Sequence, residues 1–161
     1  MDEDHGRFMD LALDQARQAA AAGDWAFGAV IVRDGRLVAA GRNTAATSGV
    51  PLHHAEMMAL LNACRDGRRA DLAGATLYAT MEPCPMCLWA IVESGIARLV
   101  LGGRHAERDD GGVGDVGGYT VERLLALSGR RLDVITGIRT EACGRLEPRW
   151  PARFSGHGGK G

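Results

Sequence analysis

The sequence predicts an α/β fold of three layers, α/β/α, with a mixed five-stranded sheet whose strands four and five run parallel. Three observations carry this reading. Two β-rich runs flank Asp34-Gly35, a strong hairpin signal. Downstream, short apolar runs alternate with stretches of helical periodicity, the pattern of a sheet covered by helices on both faces. The 161 residues, 46% hydrophobic and 24% charged, suit one soluble domain with a continuous core. We expect that domain over residues 1–150 and a flexible tail over 151–161.

The elements follow in order. From about Arg7 to Ala22, Phe8, Leu11, Ala12, Gln15, Ala16 and Ala19 recur at helical spacing, and Gly23 ends the helix. Phe27–Arg33 and Arg36–Ala40 are the hairpin strands, followed by Asn43 at the mouth of a loop running to Pro51. Helical spacing returns from His54 to about Cys64, with Met57, Met58, Leu60 and Leu61 as its apolar surface. Ala75–Thr80 is a third strand, and Glu82-Pro-Cys-Pro-Met-Cys87 opens a helix that continues through Glu93. Ala97–Leu101 is a fourth strand, ending at Gly102-Gly103. The glycine-rich stretch 102–118 reads as a functional loop. Helices at Tyr119–Leu127 and Thr140–Leu146 then bracket a fifth strand at Leu132–Thr136. The helix between strands four and five allows them to run parallel through a right-handed crossover.

Charge and composition narrow the function. With 19 Lys+Arg against 20 Asp+Glu, the net charge of −1 argues against a protein living on phosphate backbones, although a local basic patch would suffice for one. No run approaches the ~20 apolar residues of a membrane span, and the acidic start lacks a signal-peptide run. The expectation is a cytoplasmic protein with no membrane partner, whose four cysteines stay reduced and serve as ligands or core residues.

Chemistry concentrates in three ligand-type residues. Cys84 and Cys87 stand three apart at a helix start, on one face, where the positive end of the helix favours thiolates. Pro85 fits the first turn, where its missing N–H costs nothing. His54 also begins a helix. Two thiolates and one imidazole with a fourth position open form the layout of a catalytic rather than structural zinc site, and that donor set favours zinc over iron. Water bound there would deprotonate near neutral pH. Glu56, two residues on and about 200° around a regular helix, is expected beside that water as a proton carrier rather than as a fourth ligand. Taken singly, the Cys-x-x-Cys pair is also a redox or structural-zinc pattern, and His54 a capping or core histidine. The combination of His54-Ala-Glu56 with Pro83-Cys-Pro-Met-Cys87 is the signature of zinc deaminases.

On these motifs, with Phe27-Gly-Ala-Val30 and Asn43, the chain resembles the cytidine deaminase-like superfamily from about Asp24 to Leu146. It is most similar to the branch of guanine deaminases, fungal-type cytosine deaminases and tRNA adenosine deaminases. The resemblance implies one Zn²⁺ held by His54, Cys84 and Cys87, with Glu56 as the proton shuttle. It further implies a base bound by Asn43 and the backbone near Ala55, and a homodimer.

Other residues carry two readings each. Asn43 is a turn former as well as a candidate substrate contact. Trp25 and Phe27 form either a stacking wall of the pocket or part of the core. His105, after strand four, either reaches the pocket or does not. Asp115 is either a solvated loop acid or, by resemblance to guanine deaminases, a contact to the base. Trp89 is expected in the core or a dimer interface, His53 in the loop, and Cys64 in the core.

The substrate class is weighed on local charge. Residues 104–115 hold Arg104 and Arg108 against Glu107, Asp109, Asp110 and Asp115, a net of −2 that repels phosphate. From Arg139 onward the net is +3, which suits either nucleic acid or a solubilising tail. The expectation is a free nucleobase or nucleoside, such as guanine, cytosine or a related aminated heterocycle. A tRNA-specific adenosine deaminase is the alternative and a non-catalytic zinc-binding module the third reading.

Overall fold

Strands Gly28–Arg33 (β1), Arg36–Arg42 (β2), Thr76–Met81 (β3), Arg98–Gly103 (β4) and Asp133–Ile135 (β5) form one mixed sheet in the order β2-β1-β3-β4-β5. It is seen in a computed structural model that describes residues 2–65, 71–105 and 118–146. β1 pairs antiparallel with both β2 and β3, whereas the β3–β4 and β4–β5 pairs are parallel, as expected for strands four and five. The hairpin turns at Asp34 and Gly35, with φ of 51° and 70°, the two left-handed residues that an Asp-Gly turn supplies.

Helix Asp2–Ala22 (α1) lies on one face of the sheet together with Thr140–Gly144 (α6). Ala55–Ala63 (α3), Pro85–Glu93 (α4) and Val121–Ser128 (α5) cover the other. The alternation of the strands decides which residues meet which layer. Val30, Val32, Tyr78 and Val100 face α1, while Ala29, Ile31, Leu77, Ala79, Leu99 and Leu101 face α3 and α4. β1, β3 and β4 are buried along almost their whole length, which is why they read as near-continuous apolar runs. The two crossovers, β3-α4-β4 and β4-α5-β5, step the same way across the sheet. Connections of one hand then leave both helices on the same face.

Two glycines set how closely helices approach the sheet. A Cβ on Gly28 would lie 2.0 Å from Ala12 O, and one on Gly41 would lie 2.2 Å from Ala59 N. The helical residues opposite are accordingly small: Ala12 and Ala16 on α1, Ala55 and Ala59 on α3.

Several local expectations are corrected. α1 is already helical at Asp2, and Met9 and Leu13 join Phe8, Ala12, Ala16 and Ala19 in the core while Leu11 and Gln15 are half-buried. The loop from Asn43 to Pro51 contains a short helix, Ala45–Ser48 (α2). α3 buries Ala55, Glu56, Ala59 and Leu60 and leaves Leu61 exposed, because the close approach at Gly41 selects a small-residue face. Cys64 is exposed at the end of α3, where the helix runs out of sheet to cover. Trp89 is not core either: it is exposed, with the Arg130 guanidinium 5.7 Å from its ring centre. Much of the 102–118 stretch and the whole 151–161 tail lie outside the described residues. Among the described residues, no helix is long and apolar enough to cross a membrane.

Candidate active site

Two helix starts bring the ligand-type residues together. His54 is the N-cap of α3 and Cys84 the N-cap of α4, both in extended backbone, with Pro85 in the first turn and Cys87 on the following turn. His54 Nδ1 lies 3.6 Å from Cys84 Sγ and 3.5 Å from Cys87 Sγ. All three donor atoms fall within 4.8 Å of one another. A tetrahedral zinc with Zn–S of about 2.3 Å and Zn–N of about 2.0 Å places nitrogen and sulfur about 3.5 Å apart. The donor set and both nitrogen–sulfur spacings therefore fit the ion.

The three donors are electrostatically coupled, and Cys84 is the one that favours the thiolate. Hydrogen bonding from Cys87, and then from His54, holds the Cys84 thiol down at about 4. Cys87 is pushed up, first by donating its proton to Cys84 and then by burial. The His54 imidazole is raised, first through its hydrogen bond with Cys84. A thiolate at Cys84 also gains from the helix N-terminus that it caps.

Glu56 sits in the first turn of α3 and is 8% exposed. Burial pushes its carboxyl up to about 7, and its side chain hydrogen-bonds with Cys87. His54 precedes the first helical residue, so a regular-helix angle does not by itself separate it from Glu56. The glutamate is set apart because the ligand cluster is complete with His54, Cys84 and Cys87.

The remaining sequence candidates are placed as follows. Asn43 is buried; its Oδ1 accepts from Ala45 N at 3.0 Å and its backbone N–H donates to Phe27 O at 3.1 Å, so it organises the turn into α2. Thr44 N donates to His53 O at 3.0 Å, which ties this strand end to the residue before His54. Ala55 is buried at the start of α3. Phe27 is half-buried and packs against the α3/α4 core, and Trp25 is half-buried beside it in sequence. His53 is a loop residue, as expected, within 3.0 Å of Ser48 Oγ. The half-buried His105 donates its backbone N–H to Glu82 Oε2, with its ring 6.2 Å from that of Tyr119. Asp115 lies outside the described residues.

Sequence reasoning missed two structural acids and a tyrosine. Asp24, 1% exposed, accepts from Thr47 N at 2.8 Å and Thr47 Oγ1 at 2.7 Å and so holds α2 in place. Glu82, directly before the cysteine loop, is 2% exposed and accepts from three donors on two segments. Tyr119 donates its hydroxyl to Pro83 O at 2.7 Å. Its place in Glu82-Pro-Cys-Pro-Met-Cys87, directly after β3, was visible in the sequence, but its partners were not.

An open three-ligand zinc geometry beside a buried carboxylate defines a hydrolytic zinc site. Residues 2–103 match the family model for the cytidine and deoxycytidylate deaminase zinc-binding region. The chain belongs to that family and is a zinc-dependent deaminase of it. It is similar to the tRNA-specific adenosine deaminase of Bacillus subtilis, 34% identical over 141 residues that cover 86% of this chain and 83% of that one. It is similar also to the guanine deaminase of the same organism, 37% identical over 112 residues covering 69% and 72% of the two chains. A solved structure from a study of A-to-I editing by tRNA:A34 deaminases superposes with a TM-score of 0.72 at 33% identity, covering 86% of this chain and 96% of that one.

Proposed function

We propose that the chain deaminates adenosine in tRNA to inosine, with water as co-substrate and ammonia as product. The observation carrying this reading is the extent of likeness. The Bacillus subtilis tRNA-specific adenosine deaminase matches over 86% of this chain and 83% of its own length, further than the match to that organism's guanine deaminase reaches. That extent of likeness supports the tRNA reading over the small-molecule expectation, which rested chiefly on the acidic character of residues 104–115.

When bound by His54, Cys84 and Cys87, zinc supplies Lewis acidity that makes water a nucleophile near neutral pH. Glu56 takes the proton from the attacking water and passes it to the ring nitrogen next to the reacting carbon; a second transfer goes to the leaving amine. Burial raises its carboxyl above the ordinary glutamate range, the direction that suits a group that takes up a proton and then gives it away. Asn43 Oδ1 is occupied by Ala45 N, so its side-chain amide N–H₂ is the group we assign to the base. The Ala55 backbone, Phe27, Trp25 and His105 form the remaining contacts in this reading. The homodimer implied by the resemblance is part of the same proposal, and light scattering at assay concentration checks it.

A second reading, a free purine such as guanine, is favoured by one specific observation. The sequence 104–115 carries a net charge of −2, which disfavours a phosphate backbone beside it. Ammonia release from the zinc-loaded protein separates the two readings. The panel holds an adenosine-bearing anticodon stem-loop, guanine, adenine, cytosine and their nucleosides, with Glu56→Ala as control. Turnover of the stem-loop, lost in the mutant, supports the tRNA reading. Turnover of guanine without the stem-loop replaces it with the second, and undiminished turnover in Glu56→Ala removes Glu56 from the mechanism.

A further inference from the structure

Glu82 is 2% exposed, and the hydrogen bonds it accepts come from two separate stretches of chain, residues 104–105 and the start of α5. Its Oε1 accepts from Arg104 Nη2 at 3.0 Å and from Val121 N, the first residue of α5, at 2.9 Å. Its Oε2 accepts from His105 N at 3.0 Å. Arg104 is held on its other side by Glu122, with hydrogen bonds of 2.8 and 2.6 Å. Tyr119, two residues before Val121, donates to Pro83 O at 2.7 Å, between Glu82 and the ligand Cys84. Residues 105 and 119, whose rings stand 6.2 Å apart, are thus both fastened to the two residues, Glu82 and Pro83, that lead into the metal site.

From this convergence we infer that Glu82 is a positioning residue for substrate. Its buried carboxylate clasps the end of β4 and the start of α5 to the cysteine loop, and so sets the side of the pocket at His105 and Tyr119 relative to the metal ligands. Only an acceptor with no donor of its own serves all three partners. A glutamine keeps the shape, but when its oxygen faces Arg104 and Val121 its N–H₂ meets the His105 N–H, donor against donor. The inference rests on the deaminase reading for its kinetic consequence and on geometry alone for its structural one.

The test therefore has two arms, on the zinc-loaded full chain. In Glu82→Gln, hydrogen exchange at the His105 and Val121 amides accelerates roughly 10- to 100-fold, the range for losing a bond to a charged acceptor. Core amides such as Val30 and Val100 keep their protection, and zinc remains at one per chain. In the kinetic arm KM rises roughly tenfold while kcat changes less, since the clasp acts on where substrate sits. Tyr119→Phe removes one hydroxyl without threatening the fold, and it raises KM in the same sense. A purely structural Glu82 would instead lower the melting temperature with even loss of protection along the chain. Even loss, unchanged protection at both amides, or an unchanged KM in Tyr119→Phe each overturns the inference. Wild-type protein without turnover would sink the deaminase reading, and the exchange arm would still decide the clasp.

Discussion

Replacing Gly41 by alanine tests the packing that places His54 and Glu56. The new Cβ would lie 2.2 Å from Ala59 N, 2.4 Å from Ala55 O and 2.8 Å from Ala59 Cα. All three are helix backbone, so α3 has to move as a body. Ordinary contact begins at 3.4 Å, which requires a displacement of 3.4 − 2.2 = 1.2 Å. His54 caps α3 and Glu56 lies in its first turn, while Cys84 and Cys87 ride on α4. The His54–Cys separations of 3.6 and 3.5 Å would open accordingly, although metal–ligand distances tolerate only about ±0.2 Å. Overpacking of this kind costs about 1–3 kcal/mol, or about 2–12 °C in melting temperature for a chain of this size. Turnover should fall about 100-fold, the scale of a 1 Å misplacement of reacting groups. The assays are zinc per chain after dialysis against a chelator, the melting curve, and ammonia release. Gly144→Ala, whose Cβ would meet nothing within 4 Å, is the control that should leave all three unchanged. If Gly41→Ala keeps full zinc and the wild-type melting temperature, close approach at this strand does not set the ligand geometry.

Further outcomes follow from the same structure. Glu56→Gln should retain zinc, since the ligand cluster is complete without it, and lose activity by about 10²–10⁴-fold; metal content and kcat measured on one preparation check this. Cys84→Ser should weaken zinc binding by more than the roughly 10- to 100-fold that partners outside the ligand set command, as read by chelator competition. Stripping zinc from the wild type should lower its melting temperature, because the folded state loses a bound ligand. Cys143 supplies a pH test. Burial pushes its thiol up to about 12 from an ordinary value of 9.0. The folded chain therefore holds a proton that the unfolded chain releases, so this contribution to stability is complete below about pH 8.5 and is lost as pH rises toward 12. Urea midpoints between pH 7 and 10.5 should fall more steeply for wild type than for Cys143→Ala; parallel slopes would contradict the assignment.

The site was more legible in the sequence than the architecture around it. His54, Glu56, Cys84 and Cys87 occupy two short windows, each at a helix start, so spacing and donor chemistry identify them without tertiary knowledge. The hairpin at Asp34-Gly35 was readable for the same reason, since both turn residues advertise their φ. Asn43 was found, but its first duty is to the local turn, which only the Ala45 hydrogen bond reveals.

What the sequence by itself determined was therefore local: the alternation of strands and helices, the turn, and the identity of the metal donors. Tertiary structure alone decided which helix face turns inward. On α3 the alanines, rather than Leu61, meet the sheet because Gly41 sits opposite them. It also decided that Asp24 would fix α2 through Thr47, and that Glu82 would gather Arg104, His105 and Val121. These bonds join residues 22 to 39 positions apart, a contact no periodicity encodes. A periodic pattern reports the surface a segment prefers to bury, whereas the partner it buries against is a property of the assembled chain.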